Sequence, residues 1–197
     1  MKKIIVAVSG ASGVPYAVRL LQVLVDTGCL VHLTISEPAA LVLKHEMDIA
    51  VNLDEFSVKH LIGQETDRIR YHHYNDIAAP IASGTFPVDA MVVIPCSMST
   101  LAGVAAGLGN NLILRAADVT LKEKRPLVLV PRETPVGMIA LENMLKAARA
   151  GACVLPAMPA FYHGPKTVDD MIDFIVGKVL NQLKIRHDLF PTWEGDE

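Results

Sequence analysis

Aromatic side chains make up only 5% of the 197 residues, with a single tryptophan. A core must therefore be assembled mainly from Val, Ile, Leu, Ala and Met. The three cysteines, Cys29, Cys96 and Cys153, are far apart and form no CxxC pair, so neither a disulfide framework nor a zinc site is indicated. Seven histidines show neither HxxxH nor HExxH spacing, and no metal site is expected. No apolar run approaches the ~18 residues of a membrane span. A net charge of -3 gives no electrostatic pull toward nucleic acid or an anionic membrane. The opening MKKIIVAVSGASG imitates a secretory leader, but Ser9-Gly10 interrupts its greasy run after Val8, short of the roughly 7 residues such a leader needs. A first strand is expected there, and a reducing cytoplasm is the expected location.

What the chain does have is apolar bulk: 51% of its residues are hydrophobic. Without a membrane segment, that excess implies surface buried between subunits, hence a homo-oligomer. The length suits one domain spanning residues 1-197. Strands are expected at Lys3 to Val8, Leu30 to Ile35, Val88 to Ile94, Pro126 to Val130 and Ala152 to Leu155. Helices are expected at Pro15 to Thr27, Pro38 to His45, Val136 to Ala150 and Thr167 to Leu183, and Ala102 to Lys124 reads as largely helical. Residues 52 to 87 fit the alternation poorly and read as a small excursion. Apolar strands separated by helices predict an α/β fold with a mostly parallel sheet covered on both faces.

Several strand ends carry unusual chemistry. The first runs into Ser9-Gly10-Ala11-Ser12-Gly13 and then a helix, which suits either a tight turn or a ligand loop at a helix start. The spacing is not GxGxxG, a P-loop or a GxSxG elbow. Ser36 after the second strand is either a helix cap or a ligand hydroxyl. Pro95-Cys96-Ser97-Met98-Ser99-Thr100 places three hydroxyls in four positions, a hydrogen-bonding cradle for a polar small molecule. Cys96 there is either a nucleophile or a buried thiol.

Arg115, Asp118 and Lys122 are helical neighbours, and an ion-paired face is one reading of them. Lys122 also leads into the strand that ends in Pro131-Arg132-Glu133-Thr134-Pro135. Two opposite charges held between prolines at the carboxyl end of a strand stand where open α/β sheets place ligands. Arg132, Lys122 and Lys178 together suggest an anion clamp. Tyr162 and Trp193 are either site aromatics or ordinary packing.

These segments together resemble the UbiX-type flavin prenyltransferases over nearly the whole chain. The markers are Gly10-Ala11-Ser12-Gly13, Ala79-Pro80-Ile81-Ala82-Ser83-Gly84, Pro95-Cys96-Ser97 with Thr100-Leu101, Asn110-Asn111-Leu112 with Arg115-Ala116-Ala117-Asp118, Pro131-Arg132-Glu133 with Pro135, Leu141-Glu142-Asn143-Met144-Leu145, and Pro159-Ala160-Phe161-Tyr162. The resemblance implies a Rossmann-like three-layer sandwich of flavoprotein type and a large homo-oligomer, typically a dodecamer, with sites at subunit junctions. It implies joining of a dimethylallyl group from dimethylallyl phosphate to N5 and C6 of reduced FMN without a metal. The product, prenylated FMN, would serve a UbiD-type decarboxylase.

Carried over by residue, Gly10, Ala11, Ser12, Ser36, Ser97, Met98, Ser99, Thr100 and Arg132 would hold FMN, with Ser12 near its N5 edge. Tyr162 and Lys178 would take the donor phosphate, with Lys122 and Arg115 assisting from farther away. Many relatives carry Arg at the position of Lys178, so a planar fork is replaced here by a point charge. Glu133 would transfer a proton, with Glu46 a further candidate from a neighbouring subunit. Trp193, in a tail of about residues 184-197, would close over the site. Two other readings are a flavin-dependent decarboxylase of cysteine peptides and a non-enzymatic flavin carrier. The first would carry Pro-Ala-Ser-Ala-Asn-Thr where Pro95 to Thr100 stands.

Overall fold

The computed structural model of the protein describes residues 1-191. The apolar runs become strands because both of their faces are covered. In β1 (Lys3–Val8), Ile4, Val6 and Val8 enter one core while Ile5 and Ala7 enter the other. The same alternation divides β4 (Ala90–Cys96) and β5 (Leu127–Pro131). With β2 (Leu30–Ile35), β3 (Ile69–Tyr71) and β6 (Cys153–Val154) they form one sheet in the order β3-β2-β1-β4-β5-β6, parallel at every pairing.

Helices α1 (Val14–Asp26), α2 (Glu37–Met47), α3 (Val58–Ile62) and α7 (Val168–Gln182) bury side chains in the core on one face. Helices α4 (Met98–Ala105), α5 (Leu112–Lys122) and α6 (Met138–Arg149) cover the other. The result is the expected Rossmann-like three-layer sandwich. The strand order reverses direction between β1 and β4, which opens a crevice at their carboxyl ends.

Two segments show finer detail than the sequence reading gives. The stretch from Ala102 to Lys124 is not one helix: α4 stops, Gly107 takes φ 67, and the Asn111 side chain accepts the Leu114 N–H to start α5. A left-handed residue ends a helix whatever the polarity of its neighbours. The excursion at 52 to 87 contains α3, a 3-10 turn at Pro80–Ala82 and β3, which adds an edge strand through Val31↔Ile69 and Leu33↔Tyr71. Three residues are too few to carry a periodic signal.

Helix α6 leaves Met138 70% and Ile139 78% exposed, with Leu141 and Leu145 about half exposed, and buries only Ala147. No helix among the described residues is long and apolar enough to cross a membrane.

Candidate active site

The crevice is held together by a residue the sequence reading passed over. Ser9, 1% exposed, donates its hydroxyl to the Pro95 carbonyl at 2.9 Å and accepts the Ser97 N–H at 2.8 Å. It thereby ties the end of β1 to the end of β4. A buried serine at a strand end has no distinguishing sequence signal, because its value lies in a neighbour 88 positions away. Gly10 then passes against α2: a Cβ there would lie 2.4 Å from Cβ of Pro38. Gly13 takes φ 107 beneath the Tyr16 ring, and an added Cβ would meet that ring at 3.0 Å. Only glycine suits both positions.

The serines divide into engaged and available. Ser36 and Ser97 cap α2 and α4, accepting the Ala39 and Thr100 N–H groups, and the Ser97 hydroxyl also donates to Thr100 Oγ1 at 3.0 Å. Among the described residues no hydrogen bond reaches the hydroxyl of Ser12 or Ser99. Met98 and Ser99 also open the first turn of α4, where helical amides lack intrahelical partners. Cys96 is fully buried, which pushes its thiol up to about 12 and removes it as a nucleophile near neutral pH.

Arg132 stands at the mouth of the crevice. Its Nε donates to the Ser12 carbonyl at 3.2 Å, and its backbone N–H reaches the Cys96 carbonyl at 3.4 Å. No carboxylate pairs with it among the described residues. Tyr16 lies close enough to feel its charge: burial raises the phenol, and Arg132 partly offsets that rise. Glu133 is exposed beside it, with Oε1 accepting the Thr134 N–H at 3.0 Å. Glu46, in the last turn of α2, accepts the Gly13 and Val14 N–H groups at 2.9 and 3.2 Å. Its negative charge thus sits at the positive end of α1 of its own chain.

The three-cation clamp does not form within one copy. Lys122 precedes β5 and Arg132 follows it, so five strand residues, about 17 Å, lie between them. Lys122 instead pairs with Glu123 at 3.2 Å, and Arg115 pairs with Asp118 at 3.0 Å while donating to the Ala82 carbonyl. Tyr162 and Lys178 share a neighbour. Both border Phe174 of α7, Tyr162 edge-on at 5.9 Å between centroids and Lys178 Nζ at 6.0 Å from the ring centre. Trp193 lies outside the described residues. Among those residues no group of three or more His, Cys, Asp and Glu is placed to hold a metal.

The donor set fits FMN. The Ser12 and Ser99 hydroxyls and the α4 amides offer hydrogen bonds to its polar edge or phosphate. Arg132 adds a cation with no carboxylate partner among the described residues.

Comparison with known proteins agrees with that fit. The Flavoprotein family model matches residues 1–180. The chain is 48% identical to a flavin prenyltransferase UbiX of Halalkalibacterium halodurans, over 98% of this chain and 93% of that one. A solved UbiX (PadA1) complex with FMN and dimethylallyl pyrophosphate aligns with a TM-score of 0.89 at 39% identity, covering 100% of this chain and 99% of that one. A dodecameric FMN-dependent UbiX-like decarboxylase from Escherichia coli O157:H7 aligns with a TM-score of 0.88 at 44% identity, covering 98% and 100%. The FMN-dependent cysteine decarboxylase SpaF, at 14% identity with a TM-score of 0.56 over 79% and 84%, shares the fold alone.

Proposed function

The chain belongs to the UbiX flavin prenyltransferases within the Flavoprotein family, and from that premise we propose that it joins a dimethylallyl group to reduced FMN. FMN, when bound in the crevice, supplies N5 and C6, the two atoms that form bonds to the allyl carbons. The observation that supports this most directly is Arg132, aimed at the Ser12 carbonyl with no acid paired to it among the described residues. An allylic phosphate departs when fixed cations meet its developing charge, and one such donor contributes on the order of 3 kcal/mol to a transition state.

Arg132, Lys178 and the Tyr162 hydroxyl carry that work in one copy. Lys122 and Arg115 reach the same phosphate only from a second copy, which accords with the apolar α6 left exposed here and with the dodecameric relative. The proton lost from N5 leaves with the phosphate, and as the ring closes the middle allyl carbon gains one proton while C6 releases one, which Glu133 accepts and relays. Glu46, engaged at the start of α1, orients the Ser12–Gly13 turn. The donor is dimethylallyl phosphate, the product serves a UbiD-type decarboxylase, and the enzyme works in the cytoplasm.

The test is to incubate the protein with reduced FMN and dimethylallyl phosphate and weigh the extracted flavin. A gain of one C5H8 unit is expected. An unchanged mass would leave the protein a flavin carrier.

A further inference from the structure

The residue after Tyr162 has no assigned task. Both ring nitrogens of His163 are buried and lack a hydrogen-bond partner among the described residues. Leaving polar atoms so placed costs stability, so this imidazole is held in position by something other than its nitrogens. The ring lies parallel to Phe174 with centroids 4.9 Å apart and planes 9° apart. Tyr162 meets His163 edge-on at 5.8 Å as well as Phe174 at 5.9 Å. Phe190 packs against Phe174 at 5.2 Å and faces His163 at 6.5 Å. His32 is different: its Nδ1 lies 2.9 Å from Nε2 of His72, a polar contact.

The backbone couples His163 to its neighbour. The Gly164 N–H donates to the Phe161 carbonyl at 3.0 Å, so Tyr162 and His163 are the two central residues of one turn. The far end of the loop is fixed by the capping box at Thr167 and Asp170. Tyr162 is therefore tied to Phe174 twice, by its own edge-on contact and through the turn it shares with the stacked His163.

We infer that His163 is a positioning residue for the donor phosphate, acting as an aromatic plate that seats Tyr162 beside Lys178 on Phe174. This rests on the reading of Tyr162 and Lys178 as the phosphate grip. Its hydrogen-bonding capacity is not used, so a phenyl ring in its place does the same work.

The test measures steady-state kinetics, FMN affinity and melting temperature for the full chain carrying His163→Ala, His163→Phe or Lys178→Ala. His163→Ala should raise KM for dimethylallyl phosphate about tenfold, with kcat and FMN affinity changed by no more than about twofold. His163→Phe should return KM to within about twofold of the parent and raise the melting temperature, because two unpaired polar atoms are gone. A folded His163→Phe protein with KM raised tenfold overturns the inference, since the nitrogens would then be doing the work. That readout stands even if the alanine variant fails to fold. If Lys178→Ala raises KM and His163→Ala does not, the inference fails alone. If neither variant moves KM, the phosphate-grip reading fails and takes the inference with it.

Discussion

Two sets of cations sit in contrasting company. At the crevice, the Arg132 side chain donates to a serine carbonyl, lies near enough to Tyr16 to act on its phenol, and has no carboxylate partner among the described residues. On the flank of α5, Arg115 and Lys122 each lie beside an acid, Asp118 and Glu123, with side chains roughly half exposed. Exposed pairs of that kind contribute about 0–1 kcal/mol to stability. They keep cations soluble until a stronger anion arrives, whereas an unpaired guanidinium fixed at a crevice is already committed to one. On the proposed function, the α5 flank is one half of a site whose other half belongs to a different copy.

The largest expected effect follows from Arg132→Ala, which should cut formation of prenylated flavin by about 10²–10³-fold. Mass analysis of the flavin over time measures it, and a loss below threefold would dissolve the contrast. Lys122→Ala should cost less, about tenfold, because it acts across a junction. Mixing Arg132→Ala and Lys122→Ala protomers sharpens the point. Oligomers assembled from both contain some sites with neither substitution, so activity should exceed that of either pure variant. Mixed oligomers no better than the pure ones would confine each site to a single chain. Glu133→Gln should retain FMN and slow product formation about tenfold, and parental turnover would remove Glu133 from proton transfer.

How much of this was legible beforehand follows from where each signal resides. β1 and β2 run over the expected residues because strands buried on both faces announce themselves as unbroken apolar runs. Arg132 was legible from its place at a strand's carboxyl end. The break between α4 and α5 was not, since Ala105 to Leu108 is apolar enough to continue a helix and only the left-handed Gly107 ends it. β3 was hidden by its length. Ser9 and the grip of Glu46 on α1 are contacts between residues far apart in sequence, and His163 gains its neighbours only when α7 brings Phe174 beneath it. Motif resemblance supplied the family. Tertiary packing decided which side chains meet.

The smallest expected effect tests how the α5 flank is held. Residues 72–89 lie beside it, the Tyr74 carbonyl accepting the Leu112 N–H, Ala82 bonding Arg115, and Gly84 and Phe86 bonding Arg125. That segment is pinned to the sheet by the stacked His32–His72 pair, with Phe86 edge-on to His32. Burial, helped by His72, Arg70 and Lys3, lowers His32 to about 4, and burial lowers His72 as well. Unfolded imidazoles take up protons near pH ~6.5. Between that pH and about 4 the unfolded chain therefore binds more protons than the folded one, so stability falls as pH falls. The parent should lose melting temperature progressively from pH 7 to 4.5, and His32→Gln should flatten that slope while shifting the neutral-pH value by only about 2–4 °C. Amide exchange should locate the loosening in residues 72–89 and spare the Ser9–Gly13 turn. If both regions loosen together, or the variant keeps the parental slope, the flank is held by something other than this imidazole pair.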